Sequence, residues 1–155
     1  MNDPLAELKT RARLKLNAAG GRQPDLRLRD CLHAVARDVG FAHWEHARRV
    51  LGGSADPGED MGTFWHAPGC SSLLSLWFSD LVQARAALDS RPDNVLLPFK
   101  RQFLVVDESF IVELGLAPDS TAWAQAQRDL VKAYADDAWR TLAMLRMRSP
   151  RHTFA

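Results

Sequence analysis

Residues 26–51 read LRLRDCLHAVARDVGFAHWEHARRVL, two short helices around a tight corner. In the first, Leu28, Cys31, Leu32, Val35, Ala36 and Val39 recur at the spacing of one helical face. In the second, Trp44, Ala47, Val50 and Leu51 do the same. Gly40 stands just past the first periodic run, where a left-handed cap is needed and only glycine adopts it cheaply. Phe41 and Trp44 then supply two rings to close the angle between the helices.

Working outward, Leu5, Leu8, Ala12 and Leu16 mark a preceding helix over about Pro4–Ala18, with Asp3 as N-cap and Gly20-Gly21 as its stop. Residues 1–52 thus read as a helical module. Gly52–Gly62, GGSADPGEDMG, holds four glycines, one proline and three acids, so residues 53–62 are expected to be a linker that buries almost nothing. Beyond it, residues 63–148 change texture. Thr63–His66 and Leu73–Phe78 are aromatic-rich and read as short strands, and Ser79-Asp80 caps a helix to about Leu88. Asn94–Pro98 and Gln102–Val106 read as two strands or one bent edge strand. Asp107 or Ser109 caps a short helix through Leu114. A helix from Asp119-Ser120 carries Trp123, Ala126, Leu130 and Tyr134, and another from Asp136 carries Ala138, Leu142 and Leu145. Residues 149–155 hold a proline and no periodicity, and are expected to form a mobile tail. The fold class is α+β, a small helical bundle followed by a short sheet with flanking helices.

The formal net charge of +1 is unevenly spread. Residues 1–52 hold ten Lys/Arg against six Asp/Glu, residues 53–62 three acids and no base, and residues 63–155 ten of each. No apolar run approaches the roughly 20 residues that span a bilayer. The first fifteen residues lack the apolar core of a secretory signal. Cys31 and Cys70 are too few and too far apart for a disulfide framework, and a reducing cytoplasm is the expected compartment.

The run Ala36-Arg37-Asp38-Val39-Gly40-Phe41-Ala42-His43-Trp44, preceded by the Leu8-Lys9-Thr10-Arg11-Ala12-Arg13 helix, resembles a helical segment of uncharacterised bacterial proteins. Similar segments stand near the front of some bacterial ankyrin-repeat and glyoxalase-related proteins. The resemblance covers roughly residues 5–52, and Arg29 stands where members often cap the second helix with Ser or Thr. Trp65, Trp77 and the run Leu96–Phe103 likewise resemble segments of proteobacterial proteins. Neither resemblance implies an activity, and ankyrin repeats and a glyoxalase ligand set are both absent from the sequence.

Binding is the expected mode of action, with catalysis the less favoured reading. Trp65, Trp77, Phe99, Arg101 and Phe103 gather aromatic rings and a guanidinium in the second half, the residue types that dominate protein interfaces. They are the candidate partner-binding residues, and another protein is the expected partner. The alternative is nucleic-acid association through Lys9, Arg11, Arg13, Lys15, Arg48 and Arg49. Those on the first helix do not form a single stripe, and Glu45 interrupts the basic face of the third. Zinc is not expected: Cys31 and His33 stand roughly 160° apart around a helix turning roughly 100° per residue. His66 and Cys70 form a nucleophile–base pair only if the fold brings them together. Asp107-Glu108 and Asp136-Asp137 read as helix-start charges. No cofactor or metal is expected.

Overall fold

A computed structural model describes residues 3–154; Met1 and Asn2 of the helical module and Ala155 of the tail lie outside the described residues. Helix α1 (Pro4–Ala19) is capped by Asp3, whose carboxylate accepts from the amides of Leu5 and Ala6 at 3.0 and 3.3 Å. It buries Leu8 and Ala12 completely and packs on α2 (Leu28–Asp38) and α3 (Trp44–Leu51). In place of a Ser or Thr cap, Asp30 reaches back to accept the Arg27 amide at 2.9 Å, half of a capping box.

Gly40 takes φ +98°, the left-handed conformation its place demands. A Cβ there would lie 2.7 Å from Thr63 Oγ1 and 2.8 Å from the Thr63 carbonyl carbon. Gly62, at φ +67°, abuts the Gly40 carbonyl in return, which accepts the Thr63 amide at 2.9 Å. The corner is therefore clamped to the chain beyond residue 62.

That clamp corrects the expected linker. Residues 53–62 bury Ala55 and Met61, and the backbone groups of Ala55, Met61 and Gly62 find partners in the second half. Met61 N–H donates to the Lys100 carbonyl at 2.9 Å, and Lys100 N–H returns a bond to Gly62 at 2.8 Å. Tyr134 accepts the Ala55 amide at 3.2 Å and donates to the Val50 carbonyl, joining the end of α3 to the segment that precedes Asp137. One hydrophobic core runs from Leu8 through Trp44, Met61 and Leu104 to Phe154, so residues 1–52 and 63–148 share their interior.

Strands β1 (Ser75–Phe78), β2 (Val95–Phe99) and β3 (Gln102–Val106) form an antiparallel sheet in the order β1-β3-β2. Register sets its two faces. Trp77 lies opposite Leu104 and Leu97 opposite Leu104 on the main-core face, while Phe78 and Pro98 flank Phe103 on the other. Helix α4 (Leu81–Asp89) covers that second face, where Ala84 and Leu88 pack with Leu96, Phe103 and Val105. Helices α5 (Glu108–Glu113), α6 (Thr121–Gln125) and α7 (Asp137–Met147) complete the fold, capped by Asp107, Ser120 and Asp136 respectively.

Three local expectations differ from the structure. Thr63–His66 is a turn, because Phe64 and Trp65 are needed inside the core and not along a sheet. The helix expected through Tyr134 ends at Gln125. Gln127 and Arg128 adopt φ +56° and +59°, which swings Arg128–Leu130 against β2. Leu96 N–H donates to Arg128 at 2.8 Å and Leu130 N–H donates to Leu96 at 3.0 Å, so satisfying that strand edge replaces helix propagation. The expected mobile tail is docked as far as Phe154. Thr153 and Phe154 are buried, and a 3-10 turn spans Arg151–Thr153.

Arg146 on α7 holds the tail down. It is fully buried, and all five of its N–H groups are used. Nε donates to the Phe64 carbonyl at 2.7 Å, Nη1 to Leu114 O at 2.8 Å and Thr153 Oγ1 at 2.7 Å, and Nη2 to His66 O at 3.1 Å and Thr153 O at 2.8 Å. Its guanidinium carbon lies 3.8 Å from the centre of the Phe154 ring. Burial draws its pKa down to about 10, so it remains a cation at neutral pH.

Candidate functional site

The two edges of the sheet are finished differently. On the β2 side, Arg128–Leu130 lies alongside and pairs with Leu96 in parallel fashion. On the β1 side, the outward backbone groups of Ser75–Phe78 have no backbone hydrogen-bond partner among the described residues. An uncovered edge presents N–H and C=O groups ready to pair with another chain, and folded proteins usually block it.

The sequence around β1 explains its position. The turn over Pro68–Ser72 closes with Leu73 N–H on the Cys70 carbonyl at 3.1 Å, and β1 follows directly. Asp80 then accepts the Val82 amide at 3.2 Å, starting α4 and ending the strand after four residues. Leu74, Trp77 and Val82, on or beside this strand, are 78%, 45% and 76% exposed. Trp77 is nevertheless fixed: its indole N–H donates to Ser75 Oγ at 2.9 Å, and its ring stands edge-on to Phe99 at 5.0 Å. Phe99 is backed by His66 at 5.0 Å, with the Lys100 ammonium 5.5 Å over its ring. Lys100 and Arg101 form the β2–β3 turn, at the end of the sheet where β1 finishes.

The five expected partner-binding residues therefore do not form one patch. Trp77, half-buried Phe99 and exposed Arg101 lie at the surface. Trp65 is buried against Phe64, at a ring separation of 5.0 Å. Phe103 is buried beneath α4, on the opposite face of the sheet from Trp77. Leu74 and Val82 are further exposed apolar side chains beside β1, one just before the strand and the other at the start of α4.

The six cations of the alternative are divided as well. Arg11 pairs with Glu7 at 3.2 Å and donates to the Met147 carbonyl at 2.8 Å. Arg48 pairs with Glu45 at 3.1 Å, and Arg49 grips Glu59 with Nε at 2.6 Å and Nη2 at 2.9 Å. Lys9, Arg13 and Lys15 alone stand exposed with no pairing acid among the described residues. A cleft of about 330 Å³ brings Arg11 and Lys15 to Arg151, but Arg151 is bound to Asp38 at 2.7 Å. Its cations are thus largely neutralised, leaving Lys15. A second cleft, of about 380 Å³, sets Asp93, Glu108 and Asp119 above Val95, Ile111 and Trp123.

His66 and Cys70 are not joined by a hydrogen bond among the described residues. The Cys70 thiol points at the Phe110 carbonyl, 3.9 Å away, and burial pushes its pKa up, away from the reactive thiolate. Burial and then the Arg146 charge push the His66 pKa down. Cys31 is buried, and His33, His43 and His46 each accept a backbone amide with Nδ1. No group of three or more metal-ligand side chains occurs among the described residues.

No family model matches the chain, and neither a curated protein nor a solved structure shows significant similarity to it.

Proposed function

We propose that this protein acts by binding, taking an extended segment of another protein as a fourth strand against β1. The carrying observation is the unequal treatment of the edges, one sealed by Arg128–Leu130 and the other open beside exposed Leu74 and Trp77. In such an addition the main chain supplies affinity through ladder hydrogen bonds, and side chains at alternate positions supply choice. Trp77, held by Ser75 and Phe99, is an anchor that needs little ordering on binding. Leu74 and Val82 extend the apolar contact, while Lys100 and Arg101 favour an acidic residue near the end of the added strand. Asp80, also at that end, is engaged in capping α4. No helix among the described residues is long and apolar enough to cross a membrane.

Selection from a random peptide library on the immobilised protein tests this reading. The expected ligands carry alternating apolar residues and bind Trp77→Lys at least about tenfold more weakly, as for loss of an interface anchor. Ligands that bind Trp77→Lys and Leu74→Lys as tightly as the parent protein overturn it.

A further inference from the structure

Three backbone amides at the α2–α3 corner are held by histidines. Trp44 N–H donates to His33 Nδ1 at 3.0 Å, His46 N–H to His43 Nδ1 at 3.1 Å, and Ala42 N–H to His46 Nδ1 at 3.0 Å. A backbone N–H can only donate, so each Nδ1 must be without a proton for its bond to exist. At His46 the tautomer is fixed from both sides, because Nε2 lies 2.7 Å from the Asp60 carbonyl and must carry the ring hydrogen. Helix starts are ordinarily capped by Ser, Thr, Asp or Asn, which keep their acceptor through the neutral range. Imidazole in that role makes the bond depend on proton concentration.

We propose that the α2–α3 corner is an acid-released latch, in which protonation of His33, His43 and His46 on Nδ1 withdraws the acceptors that hold Trp44, His46 and Ala42. The rings are close neighbours: His43 lies 6.5 Å from His33 and 6.1 Å from His46, so charging them together adds repulsion to the lost bonds. The surrounding charges divide by element. From residues 53–62, Asp60 Oδ1 stands 3.9 Å from His46 Nε2. Arg37 of α2 and Lys100 of the β2–β3 turn line the same cleft as His46. On α3, Glu45 and Arg48 pair with each other, and Arg49 is held by Glu59. Helix α1, packed on both helices, directs its Glu7–Arg11 pair to Met147. The release is transmitted inward through Phe41, edge-on to His46 at 5.2 Å and stacked on Phe64 at 5.7 Å.

Amide hydrogen exchange of the full chain between pH 8 and pH 5 at constant ionic strength tests the latch, with rates divided by the intrinsic rate at each pH. Trp44 and His46 are expected to lose about tenfold more protection than Leu142 in α7, the scale of a lost cap. Asn places Oδ1 near the site of Nδ1 and does not titrate. In His33→Asn the Trp44 amide, and in His43→Asn the His46 amide, should therefore follow Leu142. The latch is overturned if Trp44 and His46 track Leu142 in the parent protein, or if the Asn variants lose as much as the parent. Should a variant fail to fold, imidazole nitrogen NMR of the parent decides. Protonation of Nδ1 together with loss of amide protection supports the latch, and protonation with protection intact overturns it.

Discussion

Arg146 donates its Nε–H to the carbonyl of Phe64 at 2.7 Å, across 82 positions of sequence. The same side chain binds the carbonyls of His66, Leu114 and Thr153, so one cation gathers the aromatic turn, the end of α5 and the C-terminal turn around α7. No carboxylate among the described residues pairs with it. A buried charge of this kind is tolerated because every donor is satisfied and each carbonyl dipole points its negative end inward.

Arg146→Ala is expected to remove roughly 4–5 kcal/mol of stability, since it strands four carbonyls and opens a cavity beside Phe154. Arg146→Lys keeps the charge but not the planar fork, and should cost roughly 2 kcal/mol. Urea unfolding followed by tryptophan fluorescence gives both values. A loss below about 1 kcal/mol for Arg146→Ala would contradict the hub.

Glu59 holds the 53–62 segment to α3. Its hydrogen bond from Arg49, then the Asp56 amide, lowers its pKa from 4.5 to about 2. A carboxylate depressed on folding stabilises above its unfolded value and loses that contribution as pH falls through the folded one. Glu59→Gln should therefore be less stable than the parent at pH 7, with the difference closing as pH falls from about 4.5 towards 2. Chemical unfolding at stepped pH reads it out, and a difference that is constant with pH contradicts the assignment.

His66 is shifted the same way for a different reason. Burial against Phe99 and Phe110, then the Arg146 charge, favours its neutral form and lowers its pKa below 6.5. The unfolded chain then binds a proton that the folded one refuses, so stability is full above about 6.5 and declines as pH falls below it. His66→Phe keeps the ring contacts and removes the proton. Its unfolding free energy should depend less on pH between 7 and 5 than that of the parent, and an unchanged slope refutes the attribution.

Both thiols should be silent in the native state. Cys31 and Cys70 are buried, and burial holds Cys70 away from thiolate. Alkylation by iodoacetamide at pH 8 is expected only after denaturant is added, as counted by intact mass. Fast native labelling of Cys70 would reopen nucleophilic chemistry at that position.

The helical half was legible because its signals are local. The 3.6-residue spacing of Leu8, Ala12, Val35 and Val50 marks buried faces, and the place of Gly40 demands positive φ. Strand Gln102–Val106 was legible too, but its register was not: a shift of one residue exchanges Phe103 for Leu104 between faces. Residues 53–62 looked like a linker because backbone pairing with Lys100 leaves no mark in composition. The role of Arg146 did leave one. It stands four residues after Leu142 on the buried stripe of α7, whereas Leu145, expected on that stripe, is exposed. A cation in that place marks a satisfied interior charge, visible only once the carbonyls around it are known.

The open β1 edge is tested most directly by amide NMR of the labelled protein titrated with a library-selected peptide. The expected result is perturbation of Leu74–Ser79 and Val82, with two or so β1 amides newly protected from exchange, as an added strand requires. Perturbation confined to α1–α3, or binding that leaves the β1 amides exchanging as before, would contradict strand addition.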